Sequence, residues 1–142
     1  MNWSSLLAIF VGGGLGSVAR ALVGNGIGKL ASISSSGLSG PLAGTLAGPI
    51  GILAANVLAT LTLALVMFSS FNKLSSSGAD SVWLPLLAVG FCGGFSTFST
   101  FSFDTFKLIQ EGNMMWAILN VIVSILSCLA VVWVVYLVWG KS

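Results

Sequence analysis

The sequence predicts an all-α integral membrane protein: four transmembrane helices, the third broken near its middle. Two observations carry the first part. Of 142 residues, 56% are hydrophobic and only 6% charged, with a mean hydropathy of +1.08, whereas soluble domains average roughly 25% charged residues. The chain also contains four apolar stretches, each long enough at 1.5 Å per residue to cross about 30 Å of hydrocarbon. The break is predicted from a third observation, a Gly-Gly pair followed by alternating hydroxyl and phenylalanine side chains inside the third stretch.

The spans run from about residue 6 to 24, 50 to 71, 83 to 109 and 114 to 139, in a single four-helix domain. The N-terminal Met1-Asn2-Trp3-Ser4-Ser5 has no basic region and no small-residue cleavage signal, so the first span reads as a retained membrane segment. Lys29 to Gly48, rich in Ser and Gly, reads as a loop, and so does Asn72 to Ser81 with its Ser75-Ser76-Ser77-Gly78 run. Gln110-Glu111-Gly112-Asn113 reads as a tight turn that makes spans three and four an antiparallel hairpin. Trp3, Trp83, Trp116, Trp139 and Tyr136 fall near span ends, where amphipathic rings favour the headgroup region; Trp133 lies deeper.

Charge excludes several classes of function. Arg20, Lys29, Lys73, Lys107 and Lys141 are too scattered for a nucleic-acid footprint. The sequence has no His, so no Ser-His-Asp set exists, and Cys92 and Cys128 each lie in an apolar run, which argues against a disulfide or a zinc site. Sorted by side, the basic residues divide into Lys73 and Lys141 against Arg20, Lys29 and Lys107. That balance is too even to set one orientation by the positive-inside rule. It leaves open insertion in both orientations, hence an antiparallel two-fold homodimer, or a single orientation biased by one or two loop lysines.

Polar groups at membrane depth are costly unless satisfied, so they mark candidate sites. In span one, Gly12 and Gly16 form a small-xxx-small pair, as Gly90 and Gly94 do in span three; both suit close helix packing. Arg20 reads as an anchor that caps its helix end through carbonyls or an acidic partner. Asn56 in span two serves either interhelical hydrogen bonding or donation to an anion.

Span three reads Gly90-Phe91-Cys92-Gly93-Gly94-Phe95-Ser96-Thr97-Phe98-Ser99-Thr100-Phe101-Ser102. A break there exposes the carbonyl end of one half-helix and the N–H end of the next, poles that suit a cation and an anion. Phe98 and Phe101 are three apart and share a face. They are either core packing or, with Ser99, Thr100 and Ser102 between them, one wall of an anion path whose ring edges carry positive potential. Asn120, Ser124 and Cys128 recur every fourth residue along one face of span four. Asp104 reads as a helix-end charge paired with Lys107.

The third-span run strongly resembles that of the CrcB/Fluc family of bacterial fluoride channels, which typically reads G-F-C-G-G-x-T-T-F-S-T-F-S. Gly12-Gly13-Gly14-x-Gly16-x-x-x-Arg20 and Leu53-Ala54-Ala55-Asn56 resemble family motifs in spans one and two, so the likeness covers nearly the whole chain. It implies a multi-pass protein of the plasma (inner) membrane, an antiparallel dual-topology homodimer with two pathways that passively export fluoride. It also implies a fluoride pathway using Asn56, Phe98, Phe101, Ser99, Thr100, Asn120 and Ser124, and a structural Na⁺ held at the dimer axis by the carbonyls of Gly93 and Ser96. Ser96, Ile52, Ala59 and Asp104 stand where the family has Thr, Thr, a frequent Gly and Glu, and Cys128 is a weaker donor than Ser. A proton-coupled antiporter of the small multidrug type is the rival reading; it requires a membrane-embedded carboxylate in span one, where this sequence has none. A purely structural subunit would account for the glycines but not for the hydroxyl and phenylalanine alternation.

Overall fold

The computed structural model describes residues 2–34, 41–68 and 82–140. Helix α1 is Trp3–Ser34 and α2 is Pro41–Phe68. The third crossing is built from two pieces. Its first half, α3, is a π-helical stretch Pro85–Cys92 continued by one α-helical turn, Gly93–Phe95. Its second half, α4, is Phe98–Gln110, and the last helix, α5, is Met114–Trp139. The four crossings Trp3–Leu30, Leu46–Phe68, Pro85–Gln110 and Met114–Trp139 are each long and apolar enough to span a bilayer. Among the described residues there is no strand.

Large apolar side chains point outward along every crossing: Phe10, Leu22, Leu126 and Trp133 are all exposed. In water this would be an error of patterning. In a bilayer the surroundings are as apolar as leucine, so helices gain little by hiding such side chains and associate through close packing instead. The buried centre is accordingly small: Ala55, Ala59 and Phe95, with Ala19, Val23 and Phe91 packed around them.

Glycine makes that packing possible. A Cβ on Gly12 would lie 2.1 Å from Leu86 O, and one on Gly16 would lie 2.2 Å from Phe91 O. From the other side, a Cβ on Gly94 would lie 2.3 Å from Gly13 O. The two small-residue pairs therefore meet each other, α1 lying backbone to backbone against α3. The eight-residue π-helix falls in the segment that α1 presses against, and wide turns of this kind are rare in soluble proteins and frequent at functional sites.

Two expectations change, and a third falls outside the described residues. The break does not fall at the glycines: Gly93 is helical and Gly94 belongs to the final turn of α3, and the chain extends only at Ser96 (φ −73°, ψ 157°) and Thr97 (φ −151°, ψ 115°). Gly94 is needed for contact with α1, and the extended pair is held by Asn56 and Arg20, not by glycine freedom. The segment from Lys29 to Gly48, expected as a loop, is helical at both ends, since α1 continues to Ser34 and α2 begins at Pro41; residues 35–40 lie outside the described set. The Asn72 to Ser81 loop, with Lys73 and Asp80, also lies outside it, as does Lys141.

The turn between α4 and α5 has a specific cause. Gly112 adopts φ +75°, the left-handed region that glycine enters without penalty. Its N–H donates to Ile109 O, and Asn113 N–H donates to Leu108 O at 2.8 Å. This Schellman pairing satisfies the last carbonyls of α4 and folds α5 back along it.

Candidate functional site

The extended pair Ser96-Thr97 organises the site, because a broken helix leaves backbone groups that must find other partners. In a continuous helix Thr97 N–H would donate to Gly93 O. It donates to Asn56 Oδ1 on α2 instead, at 2.8 Å. Asn56 Nδ2 in turn donates to Thr97 O at 3.4 Å. One neutral side chain thus holds both polar groups of a single peptide residue, and Gly93 O loses its helical donor. On the other flank Arg20 Nη1 donates to Ser96 O at 3.2 Å. Arg20 therefore does not cap its own helix; it reaches from α1 to the carbonyl pole of the break.

Thr97 is the residue that sequence reasoning passed over. It is 6% exposed and is the N-cap of α4: its Oγ1 accepts from Thr100 N–H at 3.3 Å. The same oxygen lies 3.1 Å from Thr100 Oγ1 and 3.2 Å from Ser99 Oγ. The three hydroxyls form one network at the N–H end of α4, where partial positive charge gathers. The available signal was a Thr three residues before another hydroxyl at the start of an apolar helical run, an N-cap pattern.

A cavity of about 400 Å³ opens beside this network. Asn56, Ser96, Thr97, Phe98, Phe101, Ser124 and Cys128 line it, with Thr60, Ile125 and Leu129. None of these lining residues is Asp, Glu, Lys or Arg. Phe98 and Phe101 form one wall with ring centroids 5.8 Å apart. Ser124 and Cys128 form part of the facing wall on α5. A smaller cavity of about 150 Å³ touches the other side of the break, lined by Gly93, Ser96, Thr60, Ala59 and Cys92 among others.

The predicted residues therefore divide. Asn56, Phe98, Phe101 and Ser124 gather at one cavity, with Ser99 and Thr100 bonded to Thr97 at its edge. Asn120 does not join them. Its Nδ2 donates to Thr105 Oγ1 on α4 at 2.8 Å, and it lines a separate cavity between α2 and α5 with Pro49, Leu53 and Trp116. Gly93 and Ser96 share the smaller cavity and both present carbonyls outside regular helical pairing. Carbonyl oxygens are the ligand type a hard cation takes, and Ser96 O already accepts from Arg20 Nη1; among the described residues no group of three or more His, Cys, Asp or Glu could hold a metal.

Asp104 departs from expectation. It does not pair with Lys107, which lies 3.9 Å from Glu111 one turn on. Asp104 instead packs against α2, where a Cβ on Gly48 would lie 3.3 Å from Oδ2, and Oδ2 has no hydrogen-bond partner among the described residues. The position of α4 beside α2 brings the carboxylate against Gly48.

Comparison with known proteins places these features in company. Residues 7–136 match the family described as "CrcB-like protein, Camphor Resistance (CrcB)". The chain is 37% identical over 137 residues to the "Fluoride-specific ion channel FluC" of Escherichia fergusonii, covering 96% of this chain and 94% of the relative. The FluC proteins of Escherichia coli O17:K52:H18 and O139:H28 are similar to it to the same extent.

Proposed function

This chain belongs to the CrcB family, and from that premise we propose that it is a multi-pass fluoride channel of the inner membrane that lets F⁻ leave the cytoplasm passively. It is not an enzyme. The observation that carries the pathway is the cavity at the break, where Asn56, Phe98, Phe101 and Ser124 converge without a fixed charge.

Fluoride is small and strongly hydrated, so a pathway must replace its water with closely spaced donors while binding weakly enough to let go. Asn56 uses one amide hydrogen to hold Thr97 O, and an Asn amide has two. The second is a donor for the ion. The ring edges of Phe98 and Phe101 present positive potential while excluding water. Ser124 is 8% exposed and offers a hydroxyl from the facing helix, and the Ser99 and Thr100 hydroxyls continue the donors toward the N–H pole of α4. Asn120 belongs to this pathway through its hold on α4.

Two further parts complete the proposal. Gly93 O and Ser96 O are the oxygens that would hold a structural Na⁺, whose charge offsets the cost of an anion in low dielectric. Two carbonyls from one chain do not fill a cation's shell, so a second, antiparallel copy supplies the symmetric pair, giving a homodimer in lipid with two pathways. The even distribution of Lys and Arg supports this insertion in both orientations; reporters fused at Ser142 would then be active on both sides of the membrane.

The deciding experiment is fluoride-electrode recording of efflux from proteoliposomes with no imposed proton gradient. Rapid passive efflux is expected, with Phe98→Ile and Phe101→Ile each reducing it while the dimer remains assembled. Efflux that needs a proton gradient would select an antiporter, and unchanged flux in both variants would remove the phenylalanine wall from the pathway.

A further inference from the structure

We propose that Thr105 is a positioning residue: its hydroxyl, held by Asn120, sets the separation between the two walls of the cavity at the break. The observation is a two-bond chain that links the walls. Asn120 Nδ2 on α5 donates to Thr105 Oγ1 at 2.8 Å. Thr105 Oγ1 donates onward to Phe101 O on α4, also at 2.8 Å. A hydroxyl has one hydrogen and two lone pairs, so Thr105 accepts and donates at once, and each bond polarises the other.

The placement of the chain gives it leverage. Phe101, whose carbonyl receives the last bond, carries one of the two rings of the phenylalanine wall. Ser124, one helical turn beyond Asn120, stands on the opposite wall. This bond joins α4 to α5 side chain to side chain, and it lies one turn from both walls. A cavity that must fit a small ion is sensitive to wall separations of this order, so Thr105 governs which anions pass more than it governs whether the protein folds.

This inference rests on the fluoride pathway proposed above, and its test includes a readout that does not. Cys128 lines the cavity and serves as a native reporter of its width; a Cys92→Ala background leaves it the single thiol. Thr105→Val keeps the shape of the side chain and removes the hydroxyl, whereas Thr105→Ser restores it. The expected result is that Thr105→Val changes the rate of Cys128 modification by a small maleimide by about three- to twentyfold, the effect of one interhelical hydrogen bond in a bilayer. The fluoride-to-chloride flux ratio should fall in the same variant, and Thr105→Ser should recover both. If wild-type protein passes no fluoride yet the maleimide rates follow this pattern, the positioning role stands and the channel reading fails. Unchanged maleimide rates in Thr105→Val, or a Thr105→Ser that behaves like Thr105→Val, would overturn the proposal. So would loss of flux in Asn120→Ala with Thr105→Val conducting normally, because Asn120 would then act on the ion directly.

Discussion

Replacing Asn56 by Asp separates its two duties, holding the break and donating to the ion. The acceptor side is retained: a carboxylate oxygen can still take the 2.8 Å bond from Thr97 N–H, now charge-assisted. The bond lost is the 3.4 Å donation to Thr97 O, which exceeds the usual 2.7–3.2 Å range and contributes little. The fold should therefore persist. The ion meets a different surface, since a negative charge replaces an amide hydrogen. At a separation of about 4 Å and an effective dielectric constant near 20, two like charges repel by about 4 kcal/mol, which converts to roughly a thousandfold loss in flux. Asn56→Ala gives the contrast. It leaves the buried Thr97 N–H without a partner, at a cost of about 1–3 kcal/mol, and lowers stability and flux together. Fluoride-electrode efflux paired with thermal unfolding in detergent reads both quantities. An Asn56→Asp protein that conducts fluoride within tenfold of wild type would refute the assignment of Asn56 to the ion and leave it only as the clamp on the break.

Packing gives a second expectation. Gly16→Ala places its Cβ 2.2 Å from Phe91 O and 2.7 Å from Phe95 N; both are backbone atoms that cannot swing away. Overpacking of about 1–3 kcal/mol then exceeds the gain of about 1 kcal/mol from replacing a helical glycine. Gly26→Ala, where a Cβ meets nothing within 4 Å, should be neutral or stabilising, and equal melting temperatures for the two variants would contradict the close approach of α1 to α3. A third concerns the N-cap of α4. Thr97→Val removes the oxygen that accepts from Thr100 N–H and should cost about 1–2 kcal/mol, with Thr97→Ser close to wild type; thermal unfolding decides, and a Thr97→Val as stable as Thr97→Ser would remove the hydroxyl network from the account.

Much of this could be read along the chain. A shortage of charge and four long apolar runs require helices in lipid, because no other unclosed structure satisfies its own backbone there. The hydroxyl and phenylalanine alternation located the break to within a few residues, and Phe98, Phe101, Ser124 and Asn56 were visible as polar or aromatic interruptions of apolar helices. What one-dimensional spacing could not supply was which partners those groups choose. Asn120 and Ser124 are one turn apart, yet one binds Thr105 and the other faces the cavity whose opposite wall is Phe98 and Phe101 of α4. Asp104 is three residues from Lys107, a favourable spacing on an isolated helix, but the approach of α2 turns it toward Gly48. Thr97 looked like one hydroxyl among five until the break made it a cap.

Composition and the placing of four apolar runs therefore determined that the chain crosses a membrane four times, and the shortage of charge pointed to an ion path built from neutral donors. Tertiary structure decided where the third helix breaks. Gly94 is consumed by its contact with α1, while Asn56 and Arg20, distant in sequence, meet the polar groups that extension exposes at Ser96 and Thr97. A helix breaks at membrane depth only where neighbouring helices bring partners for its backbone, and those partners are assembled by packing.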